Sequence, residues 1–275
     1  MTYQDQLHLQ RHKQYEQRFS VSFQRVLKQN YYQIARNLEE GRNLAEIESE
    51  PMQKVYTRLY LSIMASEGVL IWNELVAPLT GESIKQKDIF DEVASIFAPD
   101  KMSEMKPFWN RLMTGFLNTY IIQRVTEVMG TTVRRATEFI ERQRNGGLTD
   151  KEIARMLRAD ARARELRANT IARTEATNAM SKAQILALES SGLNWEKSWN
   201  AIRDDRTRDA HFIMDNTNWI GIKENFNVGG YLMAYPGDLT QGAVIAQAAN
   251  CRCRLAFRLA GRAYGFRPVQ RRFNT

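Results

Sequence analysis

The residue pattern of this chain changes at Gly192. Before Gly192, long stretches without glycine or proline carry apolar residues at helical spacing; after it, apolar and polar residues alternate between frequent turn residues. Spacings of three and four residues are typical of a helix with one buried face, whereas alternation is typical of a strand. The sequence therefore predicts an α+β fold, in which a mostly α-helical N-terminal region is followed by a small mixed α/β C-terminal module.

Three helical segments are predicted in the first half of the chain. The first covers residues 4–42, and the second begins after Pro51, since proline favours the first turn of a helix. The third begins near Pro107, and its continuation ends at Gly146-Gly147, because glycine commonly ends a helix. Their apolar stripes are typical of helix packing, so we assign them no chemistry.

A capping box opens the next helix, since Thr149 and Glu152 can each bind the other's backbone N–H. An alanine-rich helix follows over about 165–190, and it carries Thr174 and Asn178 on one face. Polar groups beside small residues favour close packing with hydrogen bonds to a neighbour. The predicted regions are a helical N-terminal region (1–148), connecting helices (149–192), an α+β module (193–260) and a basic tail (261–275).

Size and composition predict an ordinary soluble globular protein of 275 residues, with 43% hydrophobic and 25% charged residues. The chain has no run of about 18 uncharged apolar residues, which argues against a membrane span. Its N-terminus lacks an apolar signal core, and its two cysteines cannot form a disulfide framework. We therefore expect synthesis in a cytoplasm and no membrane partner.

The net charge of +8 and the pI near 9.5 favour a polyanionic partner such as nucleic acid. Beyond Cys251 the chain has arginines and no acidic residue. Guanidinium groups bind phosphate in a bidentate fork and stay charged, so these arginines are candidates for DNA contact. A solvated tail without a partner is the alternative. The candidates are Arg252, Arg254, Arg258, Arg262, Arg267, Arg271 and Arg272.

The segment from Cys251 to Leu259 alternates and predicts a strand. Its cysteines and apolar residues would face the core, while its arginines would face the opposite way. We expect this opposite face, the arginine ridge, to be open to DNA. The arginine ridge consists of Arg252, Arg254 and Arg258.

Cys251 and Cys253 would lie on the same side of that strand, about 7 Å apart, which strains a mutual disulfide. The primary expectation is no cofactor, with both thiols as small buried hydrophobic groups and His211 as a hydrogen-bonded structural residue. A metal site, with zinc bound by the two thiols and His211, is the alternative. The candidates for a fourth ligand are Asp204, Asp205 and Asp238.

Turn residues outline the rest of the module. Gly229-Gly230 predicts a hairpin. The run from Tyr235 to Asp238, with Pro-Gly at its centre, suits a type II turn. Asp238 can then cap a short helix, with Gln241 completing a capping box.

The run from Asp204 to His211 has a catalytic alternative. His211 beside an aspartate could act as a general base, while Arg206 and Arg208 could hold a phosphate or carboxylate. No Ser nucleophile motif, Gly-rich phosphate loop or paired-carboxylate signature accompanies this run in the sequence. We therefore expect no catalytic residues here and favour an aspartate that caps a short helix.

Together, these elements resemble the Mu F-like family of phage minor head proteins, also called phage head morphogenesis proteins. The resemblance covers residues 149–259. Its elements are Ile171 to Glu175 with Asn178, Trp195 to Trp199, Asp204 to His211, Phe226, Gly229-Gly230, Tyr235 to Asp238, and Asn250 to Cys253. The motif residues, which we expect to be structural, are Arg173, Thr174, Glu175, Asp204, Arg206, Arg208, His211, Pro236, Asp238 and Asn250.

The resemblance implies a virion component in the capsid interior or at the portal vertex, assembled in the host cytoplasm. The expected partners are the portal protein, a capsid or scaffolding protein, and double-stranded DNA bound without sequence preference. A homo-oligomer or several copies per virion would fit such a role. The implied function is head morphogenesis, with a part in DNA packaging or ejection.

Two other functions stay open. A virion-borne enzyme, either a nuclease or an ADP-ribosyltransferase-like effector, would be centred on His211. A cytoplasmic DNA-binding regulator would use the segment after Thr149, which resembles the start of a helix-turn-helix.

Overall fold

The expected α+β architecture is confirmed: long helices precede a small set of antiparallel strands. The computed structural model describes residues 2–84, 107–215 and 218–261, with the backbone alone for 107–114 and 117. The helices of the first part are α1 (Tyr3–Glu39), α2 (Glu50–Ile71), α3 (Ala77–Thr80), α4 (Pro107–Asn145), α5 (Asp150–Ala159) and α6 (Ala161–Ser190). A π-helical turn, Trp72–Val76, joins α2 to α3.

Side-chain caps set the starts of α5 and α6. The predicted capping box of Thr149 and Glu152 is confirmed at the start of α5. One residue separates the two helices, and this residue, Asp160, accepts a hydrogen bond from the Ala163 backbone. The alanine-rich helix therefore begins at Ala161, earlier than the sequence predicts, because a capping aspartate lies directly before it.

Helix α6 lies at the centre of the helical core, where it packs against α1 and α2. Its buried face is rich in alanine, and small side chains allow helices to pack closely. These alanines are Ala168, Ala172, Ala176, Ala179 and Ala183. The segment 149–192, predicted to connect two regions, thus supplies the central helix of the core.

A second apolar cluster closes the far end of the helical region, where α1, α4 and α5 meet. Its buried members include Ile34, Leu38, Ala136, Ile140, Ile153 and Leu157. Burying one large aliphatic side chain stabilises a fold by about 1.5–3 kcal/mol. The short helix α5 is therefore held by its apolar face as well as by its cap.

One helical stretch, Glu50–Thr80, is long and apolar enough to cross a membrane by length and composition. Most of its apolar window is buried inside the protein, and α2 packs on α1 and α6. Such burial is what the core helix of a globular protein shows, so we assign α2 to the helical core.

The C-terminal module is built around strand β1. Its elements are β1 (Trp195–Asn200), α7 (Asp209–Ile213), β2 (Ile220–Gly221), β3 (Phe226–Val228), β4 (Tyr231–Met233), α8 (Ile245–Ala248) and β5 (Arg254–Leu259). Strand β1 lies between β2 and β5 in an antiparallel sheet, paired from Trp195 opposite Leu259 to Asn200 opposite Arg254. Strands β3 and β4 form the predicted hairpin.

The module and the helices share apolar contacts. The Trp199 ring packs edge-on against Phe226 and His211, with ring centroids 5.5 and 5.2 Å away. Ile185 and Leu188 of α6 belong to the same buried cluster. The module is therefore fixed to the end of α6 by a continuous core.

The predicted start of the last strand is wrong. Strand β5 begins at Arg254, so Cys251 and Cys253 lie in the segment before it. The reason is the pairing partner, since β1 ends at Asn200 opposite Arg254 and no residue of β1 continues beyond it.

The predicted helix after Asp238 is also wrong. The Asp238 carboxylate accepts hydrogen bonds from Ala234 N at 2.8 Å and from Thr240 N at 2.8 Å. Both oxygens are thus used to close a turn, and the next helix, α8, begins only at Ile245. An aspartate with a backbone N–H on each side favours a turn as readily as a helix start.

A buried carboxylate connects α2, α4 and α6. Glu175 of α6 is fully buried. It accepts hydrogen bonds from Tyr56, Tyr60 and Tyr120, with Oη···Oε distances of 2.7–3.3 Å. Arg124 of α4 compensates the charge, with Nε 3.0 Å from Oε1. Burial and the neighbouring Glu175 charge raise the pKa of all three tyrosines, which therefore keep their protons and act as donors.

Replacing Glu175 by Gln should destabilise the fold by about 3–5 kcal/mol, because it leaves the Arg124 charge buried without its partner. Urea denaturation measures the free energy of unfolding. Glu127→Gln is the matched control, since Glu127 pairs with the same guanidinium but is 45% exposed. Its cost should be under about 1 kcal/mol. Equal losses for the two variants would contradict the central role of Glu175.

Candidate functional site at the junction of helix and module

Helix α6 binds the segment before β5 through several polar side chains. The Asn250 backbone N–H donates to Thr174 Oγ1 at 3.1 Å, and Arg173 Nη1 donates to Asn250 Oδ1 at 3.0 Å. One residue later, Thr177 Oγ1 donates to the Cys251 carbonyl. Asn250 has φ 58°, a left-handed conformation in which asparagine is enriched. The prediction that this helix face hydrogen-bonds to a neighbour is confirmed.

His12 of α1 completes the same contact. Its Nε2 lies 2.8 Å from Thr177 Oγ1 and 3.2 Å from the Arg173 carbonyl oxygen. Because Thr177 gives its hydroxyl proton to the Cys251 carbonyl, His12 Nε2 carries a hydrogen and is the donor. Burial lowers the pKa of His12 to about 4, so the ring is neutral at pH 7.

The predicted type II turn lies directly on α6 and is confirmed. Asp238 N donates to the Tyr235 carbonyl at 3.1 Å, and Pro236 and Gly237 occupy the two central positions. Asn178 Nδ2 donates to the Gly237 carbonyl at 2.7 Å. Gly237 has φ +85°, and a Cβ there would lie 3.0 Å from the backbone nitrogen of Asn178. Glycine is thus required by the turn and by the close approach of the helix.

Gly237→Ala should destabilise the fold more than Gly230→Ala. The two glycines have φ +85° and +87°, so both substitutions carry the left-handed penalty of about 1–2 kcal/mol. Only at Gly237 does the added methyl group meet helix backbone, whereas Gly230 has nothing within 4 Å. We expect overpacking to add about 1–3 kcal/mol, measured by urea denaturation. Identical losses would mean that the turn does not rest on α6.

The three residues predicted as metal ligands come together. His211 Nδ1 lies 3.6 Å from Cys251 Sγ and 3.5 Å from Cys253 Sγ, and all three residues are buried. The hydrogen bond with the Cys251 thiol lowers the pKa of the Cys253 thiol, and the hydrogen bond with His211 lowers it further. The same thiol–thiol hydrogen bond and burial raise the pKa of Cys251. Cys253 is therefore the thiol that ionises more readily.

None of the aspartates predicted as a fourth ligand joins this cluster. Asp204 forms an ion pair with Arg252, with Nη1 and Oδ2 2.8 Å apart. Asp205 is exposed, and both oxygens of Asp238 are used in its turn. The predicted ligand set is therefore reduced to one imidazole and two thiols.

The prediction of an open arginine ridge is wrong, because each of its guanidinium groups lies against a carboxylate. The pairs are Arg252 with Asp204, Arg254 with Asp5, and Arg258 with Glu196. Arg258 also lies over the Trp219 ring. The cause is tertiary: β1 places Glu196 opposite Arg258, and Asp5 comes from the first turn of α1. The candidates outside the described residues are Arg262, Arg267, Arg271 and Arg272.

Arg206 and Arg208 line the small cavity beside His211, but that cavity has no room for an anionic substrate between them. Arg208 Nη2 donates to the Ala249 carbonyl, and Arg206 is exposed. The predicted helix cap is also wrong, since Asp204 accepts from Arg206 N within a turn. His211 is 1% exposed and adjoins a cavity of about 10 Å³, which has room for one water molecule. This cavity is too small for a nucleotide or nucleic-acid substrate.

Fold and site together define a class of protein: a helical body that carries a small α+β module on one central helix, through buried polar contacts. A family model described as Phage Mu protein F like protein matches residues 137–256. The match confirms the resemblance over these residues, which make up less than half of the chain. The match runs from the end of α4 through α5 and α6 into β5. Neither a curated protein nor a solved structure matches the chain.

Similarity to this family suggests a phage head morphogenesis protein, and it implies a virion component assembled in the host cell. The family is a structural one, which favours a non-enzymatic role.

Sequence reasoning missed three residues of the site. Thr177 shares the polar face of Thr174 and Asn178, so helical spacing could have identified it. Asp5 and His12 lie at the opposite end of the sequence from the residues they contact. No local pattern indicates such partners.

Proposed function

We propose that this protein acts in head morphogenesis at the portal vertex, as a rigid adaptor between the portal protein and packaged DNA. The observation that carries the proposal is the family match over residues 137–256. The geometry supports it, because the motif residues contact one another and the body of the protein. Motif side chains that contact the rest of the protein fit a scaffold. The side chains of a catalyst would instead converge on a substrate.

Rigidity follows from how the module is attached. Helix α6 contributes Glu175 to the helical core and Thr174 and Asn178 to the module. Because one helix belongs to both parts, the module cannot rotate on the helices without breaking buried hydrogen bonds. Each buried polar group left unpaired would cost about 1–3 kcal/mol. A partner that binds the helices therefore also positions the module.

Helix α1 offers the docking face for the portal protein. Tyr3, Val21 and Tyr32 are exposed, although each is apolar or aromatic. Tyr3 and Val21 are about five helical turns apart and Val21 and Tyr32 about three, so the three side chains lie on one line. This line is the docking line, and its exposed glutamines are Gln6, Gln10, Gln14 and Gln17. The exposed Lys28 lies over the Tyr32 ring on the same line. A line that combines aromatic, amide and basic side chains suits a protein partner.

The double variant Val21→Glu with Tyr32→Glu should remove the protein from assembled heads, because it places charge on the docking line. We expect the added charge to cost about 1.4 kcal/mol of binding free energy, which is a tenfold loss of affinity. Purified heads should then carry about tenfold fewer copies, counted by mass spectrometry. Ile122→Glu with Leu166→Glu is the matched control, since both side chains are exposed on other helices. Undiminished incorporation of the first variant would exclude this docking face.

Purified components then identify the partner. Direct binding of the wild-type chain to purified portal protein, lost in the docking-line variant, supports the proposal. Binding only to the capsid or scaffolding protein would overturn the assignment to the portal.

The basic tail is the proposed DNA contact. Residues 261–275 contain four arginines and no acidic residue, and so contribute half of the net charge of +8. The described arginines of the ridge are compensated by carboxylates. We therefore assign phosphate binding to the tail, which lies outside the described residues beyond Gly261. Its arginines are Arg262, Arg267, Arg271 and Arg272.

Ending the chain after Gly261 should abolish most binding to unrelated DNA duplexes. Binding by four phosphate contacts should fall with salt at a slope of about −3.6 in logarithmic units, at about −0.9 per phosphate. Fluorescence anisotropy at several salt concentrations measures this slope for the full and the shortened chain. Arg258→Gln is the control, since its guanidinium already lies against Glu196. Equal affinity of the shortened chain, or loss only in the control, would overturn the assignment.

A further inference from the structure

Three buried side chains converge between α7 and the segment before β5. His211 Nδ1 lies 3.6 Å from Cys251 Sγ and 3.5 Å from Cys253 Sγ. The three ligand atoms all lie within 4.8 Å of one another, and each residue is at most 3% exposed. No other group of this kind is found in the described residues, whose acidic side chains lie elsewhere.

The distances match those of a tetrahedral zinc site. Zinc binds thiolate sulfur at about 2.3 Å and imidazole nitrogen at about 2.0–2.1 Å. At a tetrahedral angle, these bond lengths place the nitrogen about 3.5 Å from each sulfur. The imidazole is thus already placed at the separation that a shared ion would impose.

We propose that His211, Cys251 and Cys253 bind one zinc ion through three protein ligands, with the fourth position open. Two thiolates and a neutral imidazole compensate a divalent charge, so the buried unit carries no net charge. Thiolate and imidazole are also the ligands that zinc prefers. This proposal does not rest on the proposed role in the phage head.

Hydrogen bonding alone satisfies the cluster less well. A neutral imidazole has one lone pair, so Nδ1 accepts from one thiol, and the other thiol is left to donate to the neighbouring sulfur, which is a weak acceptor. The other ring nitrogen, Nε2, is buried and has no hydrogen-bond partner among the described residues. The ring proton can therefore reside on Nε2, and the Nδ1 lone pair can face a metal ion.

The fourth position fits a water molecule. A cavity of about 10 Å³ borders the cluster, with Thr207, Arg208 and Asn250 in its wall. This volume holds about one water molecule and excludes a substrate. The ion would therefore fasten α7 to the Cys251–Cys253 segment. That segment is in turn bound to α6 through Thr177.

Metal content is the first test. The full chain, purified under reducing conditions with zinc sulfate added, should retain about one zinc ion per chain after gel filtration. Cobalt in its place should give thiolate-to-metal charge-transfer absorption. Cys253→Ser and His211→Gln should each lower the zinc content at least about tenfold. Asn30→Ala, which changes a buried polar side chain in the helical core, should keep the ion.

A second measurement on the unchanged chain keeps the test independent of whether the variants fold. Removal of zinc with a chelator should lower the unfolding temperature and expose both thiols to alkylation, and zinc sulfate should reverse both effects. A folded wild-type chain with reduced thiols that retains under about one-tenth of an ion per chain would overturn the proposal. Cobalt binding without a thiolate-to-metal absorption band would also overturn the proposal. The three side chains would then form a hydrogen-bonded cluster without a metal ion.

Discussion

Helix α6 has to satisfy buried polar side chains on two faces, and the rest of the structure is arranged around that requirement. A buried amide or carboxylate costs several kcal/mol unless it is hydrogen-bonded. Glu175 is therefore surrounded by donors from α2 and α4, while the neighbouring Asn178, whose Oδ1 accepts from Tyr60, donates to the Gly237 carbonyl of the module. Apolar contacts are not directional, so the alanine-rich surface alone would allow the module to slide or rotate. The polar contacts fix one arrangement.

The features that the sequence predicts correctly depend on residues close together in the chain. The box at Thr149, the hairpin of β3 and β4, and the turn with Gly237 each involve about four neighbouring residues, and their φ requirements and caps are local. The start of β5 is different, because it depends on where β1 ends. The ion-pair partner of Arg254 is also distant, since Asp5 lies 249 residues away in the sequence. Such contacts arise only when the helices have packed, so local spacing cannot reveal them.

The arginine ridge shows the same limit in electrostatic terms. Alternation indicates which face of a strand a side chain lies on, but not which element covers that face. A charge count has the same weakness, since +8 is a sum over the chain and not a map of its surface. Once Asp204, Asp5 and Glu196 are paired, the uncompensated charge shifts toward residues 261–275. In the proposed role, a tail that reads only phosphates would bind DNA without sequence preference.

The Asn250–Cys253 segment joins the helix to the proposed ion site. The left-handed conformation of Asn250 lets its N–H and the following carbonyl face α6, while the two thiols face His211. The segment is thus held from two sides, and a change on one side is transmitted to the other. Substitution of His211 would loosen the backbone that binds Thr174 and Thr177, although neither contacts the imidazole. Loss of head assembly in such a variant therefore does not by itself indicate catalysis, because a loosened junction has the same consequence.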